Sequence, residues 1–284
     1  MNIEASEKRF IRFERALPWQ VREVISRKPI AYVPLGALEW HGEHAALGLD
    51  GLKAQSICEL AAQRTGGVLF PTVQWGAFHT LRYPFTFHFS KRPMKLFIRR
   101  LLGELADWGF RVAILLAGHY PLAQITLLRR ECRRASRLGR IAALGIPEQA
   151  LALDLGYLGD HAAMWETSLL MAIDPSLVDL SQLPDDTGTL WQRSKKHGIY
   201  GICPKKHANP ELGRETLKLI VDRLAATAER LLADGHADAA EEIYRAHEKA
   251  FRHPLAAGRR AFGTDSNWEI IRFVIGNIFR MRHL

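Results

Sequence analysis

The feature that most constrains the fold is the alternation of short apolar runs with longer stretches of helical periodicity. The runs Ile30–Val33 and Arg111–Leu116 indicate strands buried on both faces, because their apolar residues are continuous and do not alternate with polar ones. Helical spacing of apolar residues occurs in Gly51–Arg64 and Arg92–Trp108. This order predicts βαβ units, and therefore an α/β fold with a mainly parallel β-sheet and helices on both faces.

Length and composition indicate a globular protein of a reducing compartment. With 284 residues, 48% of them hydrophobic, the chain can bury a full core within one main domain. Its three cysteines are widely spaced and form no CxxC motif, which disfavours a disulfide framework. The first ten residues lack the apolar core of a signal peptide, and no stretch reaches the roughly 18 apolar residues of a membrane span. We therefore expect a soluble, cytoplasmic protein.

Carboxylates and imidazoles are concentrated directly after the first predicted strand. The segment from Pro34 to Asp50 reads PLGALEWHGEHAALGLD and contains Glu39, His41, Glu43, His44 and Asp50. A mixed imidazole and carboxylate shell suits Zn²⁺ or Mn²⁺. A loop that leaves the carboxyl end of a parallel strand is where α/β sheets place their ligand sites. The sequence therefore predicts a metal site in this segment.

A second candidate ligand follows the strand Arg111–Leu116. Gly118 is expected to permit a sharp turn, and Pro121 is suited to begin the next helix. His119 between them is then placed at the carboxyl end of a strand. A single histidine at such a position also fits a purely structural role. A role for His119 as a ligand is favoured only by the cluster of carboxylates and imidazoles after the first strand.

A third cluster, GDHAAMWETS, precedes an apolar helical run. His161 and Glu166 are five residues apart, about 500° of rotation on a helix, so they do not share one helical face. A loop or a helix start would let both side chains turn inward, one as a ligand and the other as a proton carrier. In the alternative interpretation Asp160 caps the helix and Glu166 forms an ordinary salt bridge.

Taken together, these segments resemble the creatininase (creatinine amidohydrolase) family. The resemblance is carried by PLGALEWHGEH with the following Asp50, by GHY after a strand, by DHAAMWETS, and by the closing segment GIYGICPKKHANPELGRETLKLIVDRLA. It covers about residues 18–234. It implies a creatininase-like α/β sandwich, a homo-oligomer that is typically a hexamer, and a metal-dependent amidohydrolase acting on a small-molecule amide.

The resemblance also implies a role for each residue of the site. It places two divalent ions, Zn²⁺, Mn²⁺ or Fe²⁺, in each subunit, with a hydroxide bridging them as the nucleophile. A histidine near the metals would transfer a proton to the departing nitrogen. The implied roles are Glu39 and His119 on one metal, His41 and Glu166 on the other, Asp50 bridging both, and His161 as the catalytic histidine.

Five further residues are candidates for the surroundings of the metals or for the substrate pocket. Glu43 and His44 are interpreted as groups that orient the ligands. Tyr157 and Trp165 bracket His161 in sequence and could form a pocket wall, although each also fits a core position. Arg82 is a candidate anchor for a substrate carboxylate or phosphate, and a solvated arginine is the alternative.

Several positions depart from the family pattern. Pro121 stands where creatininase has a metal-binding glutamate, and Ala117 and Leu122 replace the asparagines that usually flank this histidine. Phe85 replaces a glycine and is expected to narrow the pocket. Because these segments face the substrate in the family, another cyclic or linear amide, such as a lactam or a formamide, is favoured over creatinine.

The last 50 residues lie outside the resemblance, so we divide the chain into a metallohydrolase domain, 1–234, and a helical C-terminal extension, 235–284. The extension is expected to form a helix over Gly235–Phe251, a basic linker over Arg252–Gly263 and a helix over Asn267–Met281. The last helix is too short and too charged to span a membrane. It is expected to dock on its own domain or on a neighbouring subunit, with an amphipathic membrane anchor as the alternative.

Three hypotheses for the function follow from these observations. The first, a binuclear amidohydrolase, accounts for all three clusters. The second keeps the fold and makes the protein a peptidase or deformylase in cofactor or natural-product maturation. The third is a non-catalytic basic binding protein with a degenerate metal site, suggested by the net charge of +9. No zinc-finger, basic-repeat or stacking-aromatic pattern supports this third hypothesis, so no nucleic-acid partner is expected.

Overall fold

A single parallel sheet forms the centre of the protein. The computed structural model describes residues 10–74 and 83–281. All pairings in its sheet are parallel, and the strand order is β1-β3-β2-β4-β5. The predicted α/β class with a mainly parallel sheet is confirmed. The strands are β1 Phe10–Arg12, β2 Ile30–Leu35, β3 Gly67–Leu69, β4 Val112–Ala117 and β5 Ala142–Pro147.

Helices follow the strands and continue to the end of the described chain. The helices are α1 Pro18–Arg27, α2 Leu49–Thr65, α3 Lys91–Asp107, α4 Leu122–Arg137, α5 Met164–Ile173, α6 Leu190–His197, α7 Pro204–His207, α8 Pro210–Asp234, α9 Asp238–Ala250, α10 Pro254–Phe262 and α11 Asn267–Met281. Among the residues that the structure describes, no helix is long and apolar enough to cross a membrane.

The sheet is covered by helices on both faces. Along β2, Ile30 and Tyr32 belong to a core that includes residues of α2, α5, α8 and α9, whereas Ala31 and Val33 belong to a second core with α3 and α4. All four side chains are buried. Burial on both faces explains why the strands are continuous in apolar residues.

The sheet has its topological switch point between β2 and β4. These strands are neighbours, paired from Ile30↔Val112 to Leu35↔Ala117. The chain continues from β2 to β3 on one side of the sheet and from β4 to β5 on the other. In open α/β sheets the crevice beyond such a pair of strands is the usual ligand site. The segments that follow β2 and β4 carry two of the three clusters singled out in the sequence.

Two glycines bring the first turn of α2 against the ends of these strands. A Cβ on Gly118 would lie 2.0 Å from the carbonyl oxygen of Asp50, and a Cβ on Gly36 would lie 2.3 Å from the nitrogen of Gly51. Gly118 does not have a positive φ, so its role is this close approach rather than the sharp turn expected from the sequence. The approach places Asp50 at the switch point.

The C-terminal extension is helical in a segment where the sequence suggested a linker. The predicted basic linker Arg252–Gly263 is wrong, because Pro254–Phe262 forms α10. Pro254 is compatible with the first turn of a helix, and Gly263 ends it in the left-handed conformation with a φ of 62°. Upstream of it, α9 contributes Tyr244 to the main core. The basic composition of this segment therefore reflects solvated side chains on a helix.

We expect Gly118→Ala to lower the free energy of unfolding by about 1–3 kcal/mol, the usual cost of overpacking. The new methyl group would overlap the backbone of Asp50. The matched control is Gly103→Ala in α3, where no atom lies within 4 Å of the added Cβ. The control should be neutral or stabilising by up to about 1 kcal/mol. Urea denaturation compares the two variants, and equal stability would contradict the close-approach argument.

Candidate metal centre

The five residues predicted to be metal ligands lie together at the switch point. Glu39 and His41 follow β2, Asp50 lies in the first turn of α2, His119 follows β4, and Glu166 lies in the first turn of α5. All five side chains are buried. Three carboxylates in a buried cluster require compensating positive charge, because burial of unpaired charge is strongly unfavourable.

The donor atoms of these residues fall into overlapping groups. In each group the atoms lie within 4.8 Å of one another, as a metal ion would require. Two of the groups contain the same residues as the two ligand sets implied by the family resemblance. The groups are Glu39, Asp50 and His119; His41, Asp50 and Glu166; and Glu39, His41 and His161.

Asp50 faces two of these groups with different oxygens. Its Oδ1 lies 3.2 Å from Nε2 of His41, and its Oδ2 lies 3.1 Å from Nδ1 of His119. A carboxylate with this orientation can contact two cations at once. Its place in the first turn of α2 is also favourable for a negative charge, because the backbone N–H groups point toward the helix start.

His41 provides the clearest indication that the site suits a cation. Its Nδ1 lies 3.0 Å from the carbonyl oxygen of Glu39, and because a carbonyl only accepts, Nδ1 carries the proton. The lone pair of a neutral ring is then on Nε2, which is buried and has no hydrogen-bond partner. Carboxylate oxygens of Asp50, Glu39 and Glu166 lie 3.2, 3.7 and 3.7 Å from this nitrogen. A divalent cation fits this combination of donors.

The electric field of the cluster also favours a cation. Burial by itself lowers the pKa of His41, but Asp50, Glu166 and Glu39 outweigh it and raise the pKa to about 9. For His119, burial is likewise outweighed by Glu39 and Asp50, which raise its pKa to about 10. Positive charge is therefore stabilised at both imidazoles, and a metal ion would supply that charge in place of the protons.

His161 lies beside the same carboxylates. Its Nε2 is 3.1 Å from the carbonyl oxygen of Trp40, so the N–H donates there, and Nδ1 faces Glu39 Oε1 at 3.5 Å. Burial lowers the pKa of His161, which favours the neutral ring. The side chain also belongs to one of the three donor groups.

A strained turn connects His161 to the start of α5. Ala162 has a φ of 52°, in the left-handed region that costs a non-glycine residue on the order of 1–3 kcal/mol. The backbone N–H of Ala162 donates to Glu166 Oε2 at 2.8 Å. The N-cap residue of α5 is Ala163 and not Asp160, but Asp160 accepts from the N–H groups of Trp165 and Glu166 in the first turn at 2.8 and 3.3 Å.

A buried ammonium group that the sequence analysis missed holds Glu166. Lys53 is fully buried and donates to Glu148 Oε1 and to Glu166 Oε1, both at 2.7 Å. The hydroxyl of Tyr120 donates to the same oxygen of Glu166 at 2.7 Å. The other oxygen of Glu166 is left facing His41. The sequence could have indicated this contact, because Lys53 follows Asp50 by three residues and residues with this spacing share one face of a helix.

Glu43 and His44, the predicted orienting groups, lie near the cluster without belonging to the donor groups found among the described residues. Glu43 is exposed and accepts the indole N–H of Trp40 at 3.1 Å. His44 is buried, and its Nε2 lies 3.2 Å from the hydroxyl of Thr167 on α5. His44 therefore links the loop after β2 to the helix that carries Glu166.

The candidate pocket residues occupy different surroundings. Tyr157 is fully buried and stacks on Trp165 at 5.2 Å in the main core, where its hydroxyl donates to Glu148 at 2.9 Å. Arg82 lies outside the described residues. Phe85 has a φ of 54°, a glycine-like backbone conformation, and its side chain is 80% exposed. The ring of Phe85 therefore lies on the surface of the chain.

Two tyrosines that were not singled out in the sequence flank His161. The ring of Tyr83 is stacked parallel to the imidazole with centroids 6.4 Å apart, and the ring of Tyr200 lies at 5.0 Å. The two tyrosine hydroxyls are hydrogen bonded to each other. These rings form an aromatic surface beside the donor groups. Tyr200 is far from His161 in sequence, so no local pattern indicated the contact.

A model of a known protein family matches most of the chain. The family model named creatininase, described as creatinine amidohydrolase, matches residues 17–228. A creatinine amidohydrolase from Pseudomonas putida is 29% identical, and the alignment covers 61% of this chain and 76% of that protein.

Solved creatininase structures share the fold. One designated creatininase Mn has a TM-score of 0.62 and 21% identity, and the alignment covers 78% of this chain and 98% of that chain. A glutamate-to-glutamine creatininase mutant designated Zn-Zn type has a TM-score of 0.61 and 23% identity, with coverage of 78% and 98%. The common fold thus covers 78% of this chain.

We expect Lys53→Met to lower the free energy of unfolding by about 3–5 kcal/mol, because it leaves two buried carboxylates without their cation. Urea unfolding in the presence of a chelator measures the effect without a contribution from bound metal. The double variant Lys53→Met with Glu148→Leu removes one of those carboxylates and should recover part of the loss. A single variant as stable as the wild type would show that Lys53 does not hold Glu166.

Proposed function

The chain belongs to the creatininase family, and we propose that it is a metal-dependent amidohydrolase that cleaves a C–N bond of a small cyclic or linear amide. The observation that carries this proposal is the pair of buried donor groups that share Asp50. The relative from Pseudomonas putida, named creatinine amidohydrolase, supports the reaction class. The creatininases designated Mn and Zn-Zn type support Mn²⁺ or Zn²⁺ as the metals.

We assign one metal to Glu39 and His119, a second to His41 and Glu166, and both to Asp50. When bound, two divalent cations polarise the amide carbonyl, activate a water molecule and stabilise the negative charge of the transition state. The chain fits such a pair because Asp50 directs its two oxygens to different imidazoles. Lys53 and Tyr120 occupy the outer oxygen of Glu166, which keeps the inner one directed at the site.

His161 is assigned the proton transfer. Its Nε2–H is engaged by the carbonyl of Trp40, so Nδ1 is the nitrogen that can accept a proton beside Glu39. From this position a proton taken at Nδ1 can be transferred to the departing amine nitrogen. Tyr83 and Tyr200 provide the adjacent surface for a small planar amide.

The departures at Pro121, Ala117 and Leu122 favour an amide other than creatinine. Phe85 gives no such support, because its exposed ring does not narrow a pocket as expected from the sequence. We further assign the chain to the cytoplasm as a homo-oligomer, a hexamer by family resemblance. We retain the division into a metallohydrolase domain, 1–234, and a C-terminal extension, 235–284. The family match, which ends at residue 228, supports this boundary.

Asp50→Ala should remove both metals and all activity, because each donor group loses the carboxylate that they share. Elemental analysis after dialysis gives the metal content, and a panel of lactams and formamides gives the turnover. Asp50→Asn is the matched control that keeps the shape of the side chain and removes its charge, and it should also lose both metals. Two metals per chain in either variant would disprove the bridging assignment.

His161→Ala should retain both metals and lose about 10²–10⁴-fold in kcat, the usual contribution of a general acid–base group. The same elemental analysis and amide panel measure the two quantities separately. His236→Ala, which removes an exposed imidazole that belongs to none of the donor groups among the described residues, is the control and should match the wild type. If His161→Ala lost metal together with activity, His161 would be a ligand and not a proton carrier.

A further inference from the structure

The last two helices reach the surroundings of the metal centre from outside the matched family region. The family model ends at residue 228, whereas α10 and α11 lie beyond residue 250. Phe273 of α11 is buried and meets the ring of Tyr200 edge-on, with centroids 5.0 Å apart and an interplanar angle of 69°. Phe262 of α10 supports Phe273 at 4.9 Å. An element outside the matched family region therefore contacts the aromatic surface of the site.

Tyr200 is coupled to His161 through both backbone and ring. The N–H of His161 donates to the carbonyl of Tyr200 at 2.9 Å, and the N–H of Tyr200 donates to the carbonyl of His161 at 2.8 Å. These bonds form an isolated antiparallel bridge, and the two rings are 5.0 Å apart. A displacement of Tyr200 must therefore move the backbone that carries the imidazole.

The position of α11 is fixed by close packing on α6. Leu190 of α6 forms a buried cluster with Ile270 and Phe273. Gly276 lies so close to Trp191 that an added Cβ would be 2.0 Å from the indole ring. The backbone of α11 can make this approach only because residue 276 has no side chain. The helix that carries Phe273 thus has a defined register against the catalytic domain.

We propose that Phe273 is a positioning residue, through which α11 holds Tyr200 and thereby keeps Nδ1 of His161 directed at Glu39. This inference rests on the proposed function, in which His161 transfers a proton. Alignment of a proton carrier is sensitive to small shifts, since a displacement of about 1 Å can cost on the order of 100-fold in rate. The C-terminal extension is accordingly part of the machinery that sets the catalytic geometry.

The test compares Phe273→Ala with Val274→Ala, a change of the next residue on α11, whose side chain is 45% exposed. Phe273→Ala should lower kcat by about tenfold or more, with KM changed by less than about twofold, because the misplaced group acts in the reaction step. The metal content should stay at the wild-type value. Val274→Ala should match the wild type. A kcat for Phe273→Ala within about twofold of the wild type would overturn the proposal.

A spectroscopic measurement separates this inference from the proposed activity. A long-range ¹H–¹⁵N correlation spectrum of the zinc-loaded protein reports the imidazole of His161, assigned with His161→Gln. The wild type should show a protonated Nε2 that is hydrogen bonded, and Phe273→Ala should shift or lose that signal. An unchanged signal overturns the proposal even if no amide in the panel is hydrolysed by the wild type.

A second variant covers the case in which Phe273→Ala does not fold. Circular dichroism detects such a loss, and Phe273→Leu, which keeps most of the apolar volume, then takes its place in the kinetic and spectroscopic measurements. The same criteria apply to it: a kcat within about twofold of the wild type, or an unchanged His161 signal, overturns the positioning role.

Discussion

The structure depends on the burial of three carboxylates around two imidazoles at the ends of β2 and β4. Such a group of charges is unstable without positive charge close by. On its outer side Lys53 supplies that charge, with hydrogen bonds of 2.7 Å to Glu148 and Glu166. On its inner side Nε2 of His41 faces carboxylate oxygens of Asp50, Glu39 and Glu166. Divalent cations at this inner position would complete the charge balance.

The parallel sheet makes this concentration of charge possible. Neighbouring strands whose connections run in opposite directions leave a crevice at their carboxyl ends, and the loops after β2 and β4 both open into it. Gly36 and Gly118 allow the first turn of α2 to approach those strand ends. Asp50 is thereby directed at ligands from two different strands. The fold supplies the geometry of the centre, while the loops supply its chemistry.

Local sequence patterns predicted the parallel sheet and a metal site after its first strand, because strand periodicity and strand-end position are local properties. The full set of five donor residues followed from the family resemblance, since local patterns left His119 and Glu166 open to structural roles. The residues that they missed depend on contacts between distant parts of the chain. Lys53 meets Glu166 across 113 positions, and a lysine on a helix normally indicates solvent exposure. The contact between Tyr200 and Phe273 likewise depends on the packing of the C-terminal extension on α6, which no local pattern indicates. The basic composition of Arg252–Gly263 led to the prediction of a linker, although Pro254–Phe262 forms α10.

The central claim is that two metal ions share Asp50, and anomalous X-ray scattering from zinc-loaded crystals tests it most directly. The account predicts two zinc peaks in each chain, one between Oδ1 of Asp50 and His41 and the other between Oδ2 and His119. A single peak, or peaks that do not contact Asp50, would contradict the binuclear assignment. It would also remove the basis for the proposed amide hydrolysis.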